Sequence, residues 1–143
     1  IIVGKAIYEN RLMLKDGHLS KLEREMIAVV VSSCNKCFYC LIAHGAAVRQ
    51  LSKNPILGDE LVINYRAANL NERERLMLDF TAKLTEEPSK VDHLDRNILR
   101  KAKFSDEEIL EIIEVASFFN MSNRIAIGTD MRPNTEYHNI ARD

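Results

Sequence analysis

Residues 20–44 read SKLEREMIAVVVSSCNKCFYCLIAH, and whether this stretch is helix or strand decides the fold class. Val29–Val30–Val31 alone favour a strand, because β-branched side chains suit extended backbone. The residues ahead of them point the other way. Ser20 and Glu23 are spaced as a capping box, in which the serine hydroxyl accepts an otherwise unpaired N–H and the glutamate reaches back to the serine amide. The run that follows is also too long for one strand, so the segment is predicted to be a helix. Met26–Val31 offers hardly any polar face, which places the helix inside a bundle or at a subunit contact. Asn35 and Lys36 form a break, and a second helix is expected from about Cys37 to Leu51.

Outward from this stretch the chain reads as helices joined by short connections. Residues 5–16 form a helix with Ile7, Leu12 and Met13 near one side, closed by Asp16–Gly17. Pro55 and Gly58 mark a turn before a short helix over 58–67. Asn71 and Glu74 make a second capping box, and its helix carries Leu76, Met77, Phe80 and Leu84 inward to about Thr85. Pro88 ends it. Ser89 or Asp92 opens another to about Lys103, using Leu94, Ile98 and Leu99. Ser105 and Glu108 are a third box, and the helix they start is apolar over so broad a surface, from Ile109 and Leu110 to Phe118, Phe119 and Met121, that it belongs in the core or against another subunit. The charged starts Asn71–Arg75 and Asp106–Glu108 are expected to be solvated. The tail, DMRPNTEYHNIARD, is polar and rich in turns. The prediction is an all-α fold, residues 1–143 forming one domain whose N-terminus is incomplete, since the chain does not begin with Met.

Composition excludes several classes of function. A net charge of -1 gives no bulk electrostatic case for nucleic acid or an anionic membrane. No apolar run reaches the roughly 18 residues of a membrane span, and no signal peptide is visible, so a cytoplasmic location is expected. The three cysteines all lie between positions 34 and 40. A bridge across two residues closes almost no loop and adds little stability, so the close pair points to redox chemistry or metal binding rather than to a disulfide framework.

Cys37, Cys40 and His44 are spaced by three and four residues, which brings them to one side of a helix. At about 100° per residue, Cys37 and His44 fall about 20° apart around the axis and Cys40 about 60° away. Unpaired N–H groups in a first helical turn favour a thiolate over a thiol. An imidazole takes the thiol proton, and Glu25 on the preceding helix orients that imidazole. These are the parts of a dithiol redox site. The same side chains also suit zinc, although His18, His93 and His138 supply no clear second ligand pair. They equally suit a buried cysteine pair beside a hydrogen-bonded core histidine. A nucleophilic hydrolase would need a Gly-rich elbow that the sequence lacks. Cys34 reads as a bystander thiol. Tyr39, Asn120 and Asn123 are possible pocket residues.

The pattern Glu25-x11-Cys37-x2-Cys40-x3-His44, within a helical chain opening LSKLEREMIAVVVS, resembles the alkyl hydroperoxidase D (AhpD) family of the carboxymuconolactone decarboxylase superfamily. The phrases NYRAANLNERERLMLDFTAKLT and FSDEEILEIIEVASFFNMSNRIAIG are similar to its peroxidase-related branch, so the resemblance spans roughly residues 18–138. It implies an all-helical domain assembling as a homo-oligomer (dimer, trimer or hexamer). It implies Cys40 as the peroxidatic cysteine, Cys37 as proton donor and resolving cysteine in a Cys37–Cys40 disulfide, and His44 with Glu25 as a proton relay. It further implies a hydroperoxide substrate, a lipoyl protein or thioredoxin-like protein as reductant, and no metal or other cofactor. Tyr39 departs from the pattern, standing where studied members carry histidine. Two other functions remain open: the superfamily's decarboxylase chemistry, whose members lack the cysteine pair, and a non-catalytic zinc-binding or assembly module.

Overall fold

The computed structural model describes residues 8–143. Its described part is helical, with no strand among the described residues. The β-branched run is helix: α1 spans Lys21–Asn35, with the Ser20–Glu23 capping box formed in both directions. Met26 to Val31 are fully buried because α1 is surrounded, packing against four other α-helices: α2 (Phe38–Ser52), α3 (Pro55–Asn64), α4 (Glu72–Glu86) and α6 (Asp106–Gly128). A helix with no polar face is stable only when enclosed in this way. The short helix α5 (His93–Lys101) lies outside, against α4 and α6.

Four sequence expectations change. The first helix is described from Tyr8, contains a π-helical turn over Asn10–Leu14, and gives way to extended backbone at Lys15. Ile7 lies outside the described residues. Pro55 and Gly58 are not a turn, since Pro55 is the first residue of α3, and Asn54 caps it by accepting from the Ile56 and Leu57 N–H groups. Proline is suited to that first position, where its missing N–H would have had no partner. The last residues of the predicted 58–67 helix, Tyr65–Ala67, tighten into a 3₁₀ turn. In α5, Leu94 and Ile98 are exposed and only Leu99 is buried. Asp92 caps this helix in a further box with Asp95, and the Asp95 carboxylate binds Lys83 of α4 at 2.8 Å. The bridge lies on the same side of α5 as the buried Leu99, and the Leu94–Ile98 side is left to solvent. Leu110 and Met121 of α6 are likewise exposed.

Charged residues contribute more than solvation. Arg73 of α4 donates to Glu23 at 2.9 Å and to Glu108 at 2.6 Å, the same glutamates that close the boxes of α1 and α6, and its guanidinium lies over the Phe104 ring. One side chain thus ties three helix starts together. Arg24, 2% exposed, donates to the carbonyls of Leu12 and Lys15 and meets Glu111 at 3.5 Å. Glu111 also accepts from the His18 and Leu19 N–H groups.

Gly58 lies inside α3 because a methyl group there would come within 2.7 Å of Arg49 Cγ and 3.1 Å of the Gly45 carbonyl. Arg49 has little freedom to move aside, because it donates to the carbonyls of Tyr137 and Ile140 and so pins the C-terminal tail onto α2. Helix propensity alone favours alanine over glycine by about 1 kcal/mol. The overlap outweighs this, and Gly58→Ala is expected to lower stability by about 1–2 kcal/mol in urea denaturation. An unchanged or raised midpoint would show that α2 and α3 separate without strain.

Candidate active site

The break predicted at Asn35–Lys36 is a Schellman ending of α1. Lys36 takes the left-handed conformation (φ 55°, ψ 41°), its N–H reaches the Ser32 and Ser33 carbonyls, and the Cys37 N–H returns to the Ser32 carbonyl at 3.0 Å. These bonds satisfy the last carbonyls of α1 and turn the chain sharply. Cys37 is therefore the residue that precedes α2, and Cys40 lies in that helix's first turn. Both are 1% exposed and pack with Tyr39 and with Ala126 of α6. Their Sγ atoms lie 2.7 Å apart. The Cys37 side chain makes no capping hydrogen bond, so the first N–H groups of α2 are not claimed by it.

His44 follows Cys40 by one helical turn, which makes the two side chains neighbours on α2. Its Nδ1 lies 2.6 Å from Glu25 Oε2, across the α1–α2 contact, and both side chains are largely buried. An ionised carboxylate only accepts, so Nδ1 carries the shared proton, and Nε2 of a neutral ring is left with its lone pair. Phe119 of α6 meets the imidazole edge to face, with centroids 4.6 Å apart. The fold thus brings Cys37, Cys40, His44 and Glu25 onto the contact between two adjacent helices, backed by a third. The arrangement sets a thiol pair one helical turn from an imidazole that is hydrogen-bonded to a carboxylate.

Residues 5–62 match the model of the carboxymuconolactone decarboxylase family. The chain is 56% identical to an uncharacterized peroxidase-related protein from Silicibacter sp. TM1040, over 99% of this chain and 74% of that one, with a TM-score of 0.96. It is 41% identical, with the same coverage of both chains and a TM-score of 0.95, to an uncharacterized peroxidase-related protein from Ralstonia eutropha JMP134 described as an alkylhydroperoxidase AhpD core. The chain belongs to the carboxymuconolactone decarboxylase family, in its AhpD-like, peroxidase-related branch. The AhpD-like fold also carries different chemistry: the debrominase Bmp8 matches at 18% identity, over 97% of this chain and 74% of that one, with a TM-score of 0.81. That likeness extends to the fold alone. No protein of curated function matches.

Cys34 sits near the end of α1, where burial, followed by the nearby Glu86 carboxylate, pushes its thiol up to about 11. It is a poor nucleophile at neutral pH. Tyr39 is half-buried beside the two cysteines, and its phenol is held above the usual range by burial first and then by Tyr137 and Glu9. Asn120 and Asn123, offered by the sequence as possible pocket residues, place their amides in a hydrogen-bond cluster with Asn35. His18 and His93 lie on other parts of the fold, and the His138 ring stands 6.1 Å from that of Phe38. Among the described residues, no three of His, Cys, Asp and Glu converge as a metal-ligand set, and no helix is long and apolar enough to cross a membrane. A cleft of about 400 Å³ beside Arg24 and Glu111 includes none of the four site residues. Sequence reasoning did not find Phe119 or Asn35 as parts of the site. The only sequence signal for Asn35 was its place in a helix break.

Proposed function

We propose that this AhpD-like chain is a thiol-dependent hydroperoxide reductase, working as a dithiol–disulfide oxidoreductase. The observation that carries the proposal is the pairing of Cys37 Sγ and Cys40 Sγ at 2.7 Å, with the His44–Glu25 pair one helical turn on. In the proposed cycle His44 accepts the thiol proton and Glu25 holds the imidazolium. The Cys40 thiolate attacks the O–O bond of ROOH, leaving Cys40 as a sulfenic acid and releasing RO⁻, which takes a proton to become the alcohol. The Cys37 thiol then displaces hydroxide from that sulfur, so that the disulfide forms and water leaves. Two electrons and two protons from an external dithiol, on a lipoyl or thioredoxin-like protein, restore the pair. The cycle uses no metal, haem or flavin. Association into a homo-oligomer is part of the same proposal.

The test is intact mass after one equivalent of hydroperoxide. The native chain is expected to lose two hydrogens, and Cys37→Ser to gain one oxygen on Cys40, because its sulfenic acid has no partner thiol. If the native chain, Cys37→Ser and Cys40→Ser all react alike and slowly, the pair is not the site of peroxide chemistry.

A further inference from the structure

The spacing of the two sulfurs is decided at the elbow between α1 and α2, because Cys37 precedes α2 while Cys40 lies inside it. Three amides meet behind that elbow. Asn35 Nδ2 donates to Asn120 Oδ1 and to Asn123 Oδ1, at 3.0 Å each. Asn123 is 0% exposed, and its own Nδ2 donates to Ser32 Oγ at 2.9 Å. The Ser32 hydroxyl donates to the Ala28 carbonyl at 2.7 Å, and the Ser32 carbonyl is the acceptor for the Cys37 N–H. Asn123 therefore grips the residue that grips Cys37. Asn120 Nδ2 donates to the Ala116 carbonyl at 3.0 Å and to Thr85 Oγ1 at 3.3 Å, and Arg124 donates to Asn120 Oδ1 at 3.1 Å. Less than one turn beyond Asn123, Ala126 packs on both cysteines. A single helix thus supplies both the clamp and the wall of the dithiol.

Three amides are a costly way to fill an apolar contact, since each must find all of its partners or lose stability. No buried side-chain nitrogen or oxygen among the described residues is left without a partner, and the bonds fix a direction that apolar packing would leave loose. We propose that Asn35, Asn120 and Asn123 are positioning residues: they lock the α1–α2 elbow so that Cys37 and Cys40 face each other, and thereby set the reduction potential of the pair. The proposal rests on the redox reading above and deepens it. A locked elbow presents each thiol to the other at high effective concentration, which favours the disulfide. A loosened elbow lowers that concentration and makes the disulfide easier to reduce.

The test is a redox titration against glutathione, followed by intact mass after acid quenching. The reaction is Cys37–SH plus Cys40–SH plus GSSG giving the Cys37–Cys40 disulfide plus two GSH, so two electrons and two protons pass to glutathione. Asn123→Ala and Asn35→Ala are each expected to lower the equilibrium constant for disulfide formation by roughly tenfold, which is a potential about 30 mV less negative for a two-electron couple. The double variant is expected to match either single variant, because both act through one clamp. Ile112→Ala, which opens a cavity in the same helix away from the elbow, is expected to destabilise the fold and leave the potential unchanged. If Asn123→Ala does not fold, Asn35→Ala at the half-buried helix end carries the measurement. Wild-type potentials in both asparagine variants, with stability lost as in Ile112→Ala, would make the cluster merely structural and overturn the proposal. A native chain that forms no Cys37–Cys40 disulfide at any glutathione ratio would overturn the redox reading, and this inference with it.

Discussion

Glu25→Gln is expected to slow peroxide-driven disulfide formation on the order of 10²-fold. The carboxylate stands 2.6 Å from His44 Nδ1 across the α1–α2 contact, in a place where little water screens it. In the proposed cycle the imidazole becomes a cation as it takes the thiol proton, and the carboxylate is the group positioned to hold that charge. Glutamine has the same shape and accepts through its carbonyl, but it brings no charge. Its NH₂ group also donates to Nδ1 as readily as its oxygen accepts, which would turn the ring to the tautomer whose Nε2 carries the proton and cannot take another. Stopped-flow kinetics of thiol loss under hydroperoxide, at fixed pH, measures the effect. A rate within about threefold of wild type, with unfolding unchanged, would remove Glu25 from the relay.

The second large effect concerns stability. Glu111→Ala is expected to cost about 3–5 kcal/mol, a fall of about 10 °C or more in midpoint temperature. It leaves the Arg24 guanidinium buried without its counter-charge and strips the His18 and Leu19 N–H groups of their acceptor. Glu111→Gln keeps an acceptor for those N–H groups and is expected to lose less. Thermal unfolding of the two variants separates the charge from the hydrogen bonds. A loss below about 1 kcal/mol in Glu111→Ala would mean that the N-terminal segment detaches freely and that Arg24 reaches water.

Local sequence signals carried the helix assignments. Ser20, Asn71 and Ser105 each stand three residues before a glutamate, and all three boxes form. They were legible because a capping box involves only neighbours in the chain. The Cys40–His44 interval was legible for a related reason, since helical geometry turns an interval of four into proximity, and the Schellman ending of α1 falls where Asn35–Lys36 indicated. Cys37, expected on the same helix face, instead precedes α2 in extended backbone and meets Cys40 through the elbow. Features that depend on which helices cross were not legible. Gly58 resembled a turn glycine, and only the approach of Arg49 and the Gly45 carbonyl explains it inside α3. Leu94 and Ile98 had the right spacing to face inward, but Leu99 and the Asp95 that meets Lys83 occupy the inner side of α5. Nothing in the sequence around Glu111 signals the buried Arg24 nearly ninety residues earlier. Phe119 looked like core, and its contact with the His44 ring required the crossing of α6 over α2.

Among the six α-helices described, α1, α3, α4, α5 and α6 each begin with a side chain that accepts a backbone N–H. Helix α2 does not, because Cys37 occupies that place. A serine, aspartate or asparagine there is typically worth about 1 kcal/mol over a residue that cannot cap. Under the proposed cycle, reactivity and robustness therefore make opposite demands on one position. In a lineage that no longer used the sulfur, selection for stability alone would favour drift at position 37 toward one of those capping residues, and the change would leave the fold firmer and the dithiol gone.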